Sequence, residues 1–202
     1  MDRPIHEELW LRCATKRCCT LRTVLPTSAD IWRIATSLQI APESFLRPIP
    51  AHDHPESAFA LDRTGRLFHA ALVRRSLKGG AAACVFLLQL GSQAARCGLG
   101  SLRPTTCQSF PATGSPGMVR VDDQHPCTCR AWTLADLDRA QISELLRQDT
   151  SERQGYHASI LAWNAQVGAA PGERGFSFGD FCHFMMSTYA QHATQPEPRG
   201  QA

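Results

Sequence analysis

An α+β fold is what this sequence predicts, in the form of a small irregular cysteine-cluster domain with short strands followed by a helical part. Three observations carry that expectation. Apolar residues recur at helical spacing between Thr27 and Ile40. Two apolar stretches flank the turn-like "DRTG" in "SAFALDRTGRLFHAALVRR", which is how a β-hairpin is written. Beyond Cys129 the texture changes to long segments with apolar residues three and four apart.

Taken in order, residues 3–11 predict a short helix. The segment Thr27–Ile40 predicts a better one, with Ser28 as N-cap, Ile31, Ile34, Ala35 and Leu38 on one face, and Pro42 as its limit. "LRPIPAHDHPE" at 46–56 holds three prolines and two histidines and reads as a loop. The hairpin follows, then "AAACVFLLQL" as a third strand or a buried turn of chain. Residues 97–117 are rich in Pro, Gly, Ser and Thr and read as irregular, and "GMVRV" adds a short strand. Thr133 and Asp136 suit the cap of a helix carrying Leu134, Leu137, Ile142, Leu145 and Leu146. Two further helices are expected at 151–167 and 177–192, and residues 194–202 form a frayed tail. The domain organisation read from this is a cysteine-cluster domain at 1–130, a helical extension at 131–193 packed on it, and the tail.

Composition excludes several classes. Hydrophobic residues make up 43% and charged residues 19%, enough for a packed core. The net charge of +3 counts nine cysteines as neutral, and the basic residues form no stripe, so no nucleic-acid partner is expected. The longest apolar run is too short to span a bilayer, and "MDRPIHEELW" has no leader character, so the expectation is a cytoplasmic chain with no membrane partner.

The cysteines carry the functional signal. They are Cys13, Cys18, Cys19, Cys84, Cys97, Cys107, Cys127, Cys129 and Cys182. A reducing compartment and an odd count disfavour a disulfide framework. Cys97 and Cys107 bracket a loop of little apolar content, and Cys127 and Cys129 stand in "HPCTCR". Thiols in such loops have no core to pack into, whereas soft thiolates select zinc, Cu(I) or iron–sulfur clusters. The adjacent Cys18 and Cys19 diverge, so one thiol for each of two metal atoms, or one ligand and one spare, is easier than both on one ion. Eight candidates exceed the four ligands of a zinc site, which tilts the reading toward a polynuclear centre. Cys182, in "SFGDFCHFMMSTY", reads as core. So do Trp132, Tyr156, Trp163, Phe176, Phe178, Phe181 and Phe184, as the core of the helical part. His52 and His54 read as solvated loop residues, and Cys18 beside Lys16 and Arg17 is a minority candidate for a nucleophile.

The stretch "CVFLLQLGSQAARCGLGSLRPTTCQSFP" resembles the signature of the bacterial YkgJ family, described as zinc- or iron-chelating. The matching positions are Cys84, Phe86, Leu87, Cys97, Arg103, Pro104, Cys107, Phe110 and Pro111. "CATKRCC…TSADIWRIA" resembles that family's opening cluster and its helix, with Asp30, Ile31 and Arg33. The likeness spans roughly residues 13–112. It departs from the pattern in one missing opening cysteine, in Gly100 for a tyrosine and in Gln108 for an arginine. The resemblance implies a centre of zinc or iron, and the surplus of cysteines over four slightly favours an iron–sulfur cluster. Arg103 is a candidate donor to its sulfurs, and Cys127 or Cys129 a replacement ligand. The family is also similar to the cysteine-rich part of flagellin lysine-N-methylase. Two further functions follow as alternatives, a protein lysine N-methyltransferase-like enzyme and a redox or metal-sensing accessory factor. The C-terminal helices are expected to cover the metal site or to dock a protein partner.

Overall fold

The structure, a computed structural model, describes residues 16–77, 80–90, 95–122, 124, 131–171 and 175–193. The helix expected at 3–11 and the tail at 194–202 lie outside the described residues.

Short antiparallel strands and helices alternate, so the α+β class stands. Helix α1 is Arg17–Leu21 and α2 is Ser28–Leu38. The N-cap of α2 is Thr27 rather than Ser28. Its hydroxyl accepts from Asp30 N–H, and the Asp30 carboxylate accepts from Thr27 N–H, which satisfies two otherwise orphaned donors.

Three strands follow, β1 (Leu46–Pro50), β2 (Phe59–Ala60) and β3 (Leu67–Leu72), in the order β1-β3-β2, all antiparallel. The expected hairpin is β2–β3. The stretch read as a loop around Pro48 and Pro50 is instead strand β1. It sits at a sheet edge, where a proline without an N–H can be accommodated.

Three two-stranded ribbons come next. Strand β4 (Arg74–Ser76) pairs with β5 (Ala82–Cys84), and β6 (Leu87–Gln89) pairs with β7 (Ala95–Cys97). The expected third strand at 81–90 is thus broken by a turn at Val85 and Phe86, and its halves serve different ribbons. Within the irregular 97–117 stretch stand a short helix α3 (Thr105–Gln108) and strand β8 (Ala112–Ser115), which pairs with β9 (Met118–Val121).

The helical part is two helices, α4 (Arg139–Ala169) and α5 (Phe178–Ala193). The expected break near 150 is absent because the Thr150 hydroxyl turns back to the Leu146 carbonyl at 2.8 Å instead of capping a new helix. Thr133 and Asp136 do form a capping box, but on a single 3₁₀ turn. Asp138 caps α4 itself, accepting from Gln141 N–H at 3.0 Å.

These helices share their core with the strands. Tyr156, Ile160, Trp163, Phe181 and Met185 are buried with Ile31, Ile34, Phe45, Phe59 and Leu72. Phe59 stacks on Phe181 with ring centroids 3.8 Å apart. Asn164 and the Trp163 indole N–H hydrogen-bond the backbone of Ala58 and Ala60, so α4 covers the open edge of β2. Trp132 belongs to a second cluster with Phe110, Leu137, Ile142 and Leu146. Among the described residues no helix is long and apolar enough to cross a membrane.

Candidate metal centre

Each candidate cysteine among the described residues is set by a different local element. Cys18 and Cys19 are adjacent on α1, which begins after Lys16, a buried residue in the left-handed conformation at φ 42°. Cys84 closes β5 opposite Arg74, and Cys97 closes β7 opposite Leu87. Gly98 N–H bonds the Phe86 carbonyl at 2.7 Å, which brings the Cys97 turn against the Cys84 turn. A glycine eases that approach, since a Cβ on residue 98 would stand 3.3 Å from both Phe86 O and Leu88 Cδ1 and its neighbours would have to give by a few tenths of an ångström. Cys107 lies on α3, with its N–H on Pro104 O at 2.7 Å.

Four segments far apart in sequence therefore meet. Cys18, Cys19, Cys84, Cys97 and Cys107 all line one cavity of about 210 Å³. The Cys18 and Cys19 sulfurs are 3.9 Å apart. The thiols push one another's pKa upward. For Cys19 the hydrogen bond with Cys18 comes first, then burial, then the charges of Cys18, Cys107 and Cys84. For Cys107 burial comes first, with Cys97, Cys84 and Cys18 adding to it. Burial also raises Cys84 and Cys97.

Opposing donors are aimed at two of the sulfurs. The Phe86 N–H favours the Cys84 thiolate, and the N–H groups of Leu99 and Gly100 favour that of Cys97. Gly100 adopts φ 53°, a conformation that suits glycine. The "CGLG" stretch thus carries a signal that the sequence reading passed over, a cysteine followed by backbone folded to serve its sulfur.

Arginines surround the thiols. Arg103 is buried, lines the cavity, favours the Cys97 thiolate by its charge, and donates Nε–H to Gly100 O at 3.1 Å. Arg22 and Arg153 line the same cavity. Arg74 ties α1 to β5, donating to the carbonyls of Thr20, Arg22 and Ala82. A set of cations around a sulfur-rich cavity offsets the negative charge that ligated thiolates would bring.

Among the described residues the candidate ligands at this cavity are all cysteines, which fits a thiophilic ion or cluster and suits a hard oxygen-seeking cation poorly. In the side-chain positions of the structure, no three His, Cys, Asp or Glu side chains among the described residues stand close enough together to hold one ion. Cys13, Cys127 and Cys129 lie outside the described residues. Cys182 is elsewhere, buried in the main core, its thiol pushed up to about 12 by burial with Glu43 adding to the rise. His54 and His69 line a different cavity.

Comparison with family models, with curated proteins and with solved structures finds no match for this chain.

Proposed function

We propose that this chain is a metal-binding protein whose centre is built by Cys84, Cys97, Cys107 and one or both of Cys18 and Cys19. The metal is zinc or iron, with an iron–sulfur centre slightly favoured. One observation carries the reading: five thiols from four separate segments line a single cavity. Crowded protonated thiols gain little from one another. A cation between them exchanges mutual repulsion for ligation, and the binding energy becomes folding energy for the loops that supply them.

The preference for more than one metal atom rests on room and ligand number. A single zinc takes four ligands. Here five thiols surround about 210 Å³, several times the roughly 30 Å³ that one water occupies in the liquid. Arg103 holds the Cys97 turn through Gly100 O and faces the sulfurs as a charged neighbour. Cys84, Cys97 and Cys107 are not joined in disulfides, which suits a reducing compartment such as the cytoplasm.

Purification without oxygen, followed by a visible spectrum and assays of zinc, iron and acid-labile sulfide, tests the proposal. Stoichiometric metal is expected, with sulfide and visible charge-transfer bands if the centre is iron–sulfur. A metal-free protein that cannot be loaded under reducing conditions would sink it.

A further inference from the structure

A second cavity, of about 470 Å³, lies on the other side of Leu25 and Arg153, which line both cavities. This volume falls within the range of small-molecule sites. One wall is a polar stripe of α4, made by Thr150, Arg153, Gln154 and His157, which share a helix face by their spacing. The facing wall is the turn His54–Ser57, in which His54 takes the left-handed conformation at φ 54°.

The floor is fixed. His69 of β3 is buried, and its ring nitrogens face the carbonyls of Asp53 at 2.8 Å and Ser57 at 3.4 Å. It shapes the turn and leaves recognition to the side chains around it. Glu56 supplies the carboxylate in the lining, and His54 Nδ1 stands 3.2 Å from it. Its charge is held by its own backbone N–H and by His54, with His157 also favouring it. Asp149 takes the Nε–H of Arg153 at 2.6 Å, which aims the guanidinium while leaving its terminal nitrogens for another partner. Arg153, His157 and the Gln154 amide thus line this cavity beside one carboxylate, Glu56, which His54 already meets.

We propose that this cavity binds a small organic anion, bearing a carboxylate or a phosphate monoester, with Arg153 and His157 as the recognising pair. The guanidinium fork matches either head group in two-point geometry, and the imidazole and amide close around it. The volume leaves room for an organic body beyond the head group. This proposal does not depend on the metal reading, although the shared Arg153 places the anion one side chain away from the thiols.

The test is an NMR titration of the full chain with citrate and, separately, glucose 6-phosphate, following the His157 ring and the Gln154 side-chain amide. Saturable shifts with at least one probe are expected, at a Kd of about 1 mM or tighter. Arg153→Gln and His157→Gln should each weaken binding about tenfold, the size of one lost charge-assisted contact, with the thermal midpoint retained. His157 is half-buried and lines this cavity and not the thiol cavity, so His157→Gln decides the matter if Arg153→Gln fails to fold. Preference between the probes names the head group. No saturation with either probe at about 20 mM, more than tenfold above that Kd, or equal binding by wild type and His157→Gln, would overturn the proposal.

Discussion

Thr105 donates its backbone N–H to Asp30 Oδ1 at 3.2 Å, across 75 residues of chain. The same carboxylate caps its own helix through Thr27 N–H and pairs with Arg33. Arg33 reaches Glu152 on α4, and Glu152 also accepts from the hydroxyls of Thr27 and Thr105. Cys107 stands two residues beyond Thr105 on the same short helix. A buried polar network joining three segments thus sets where that thiol stands.

Asp30→Ala should be severely destabilising. It strips the cap from α2, leaves Thr105 N–H without its acceptor and uncouples Arg33, at a cost of about 3 kcal/mol, as for breaking a buried pair. Denaturant midpoints check the magnitude. A loss below about 1 kcal/mol, the range of an exposed pair, would mean that the network is dispensable.

Acid sensitivity follows from the same network, in which two carboxylates have their pKa values moved in opposite directions. Burial works against the Glu152 carboxylate, but hydrogen bonds from Arg33, Gln148 and Thr27 outweigh it and hold its pKa below the ordinary value. Its contribution to stability is present above its unfolded pKa, near 4.3, and is lost as the pH falls through the lower folded value. Asp30 runs the other way. Burial, with the charge of Glu152 adding, raises its pKa, so its protonation favours the folded state. Glu152→Gln should therefore flatten the loss of stability below about pH 4, near its unfolded pKa, while Asp30→Asn should remove a gain in stability that falls above about pH 4, between the raised folded value and the unfolded one. Urea midpoints between neutral and acid pH distinguish the two, and the same sign in both variants would contradict the assignment.

Arg74 fastens the thiol-bearing α1 to β5 through the carbonyls of Thr20, Arg22 and Ala82. Arg74→Ala should cost about 2 kcal/mol, in the range of charged hydrogen bonds. The effect should be local, with faster hydrogen exchange at residues 17–24 and little change in α4. Uniform acceleration across both regions would show that Arg74 supports the fold as a whole.

Two cysteines should separate ligation from packing. Cys107→Ser replaces a soft thiolate by a poor ligand in a short helix that the loops depend on, so bound metal and thermal midpoint should fall together. Cys182 is a packed thiol beside Tyr156, Phe181 and Met185. Cys182→Ala should cost about 1 kcal/mol and retain the metal. Equal metal loss in both variants would mean that the ligand set is drawn wrongly.

The sequence made α2, the β2–β3 hairpin and α5 legible, because each carries its own periodicity and turn or cap residues. Strand β1 was hidden by Pro48 and Pro50, whose exclusion from sheets holds for central strands and relaxes at an edge. The helix boundary expected before residue 151 is absent, and Thr150 bonds backward to the Leu146 carbonyl within one continuous α4. A helical extension packed on the cysteine domain was expected, but not which residues make the contact, such as Phe59 against Phe181. At the thiol cavity, residue types and loop composition pointed to Cys18, Cys19, Cys84, Cys97 and Cys107. The Asp30–Thr105 bond, the Arg74 clamp and the N–H groups facing Cys97 were not legible, because backbone donors and long-range partners leave no mark in composition.

The most direct measurement of the central claim is X-ray absorption at the metal edge of protein purified without oxygen. The account predicts a ligand sphere dominated by sulfur, at about 2.3 Å, with a metal–metal scatterer if the centre is polynuclear, and loss of this sphere in Cys107→Ser. A sphere of nitrogen and oxygen, or an unaltered sulfur sphere in Cys107→Ser, would contradict it.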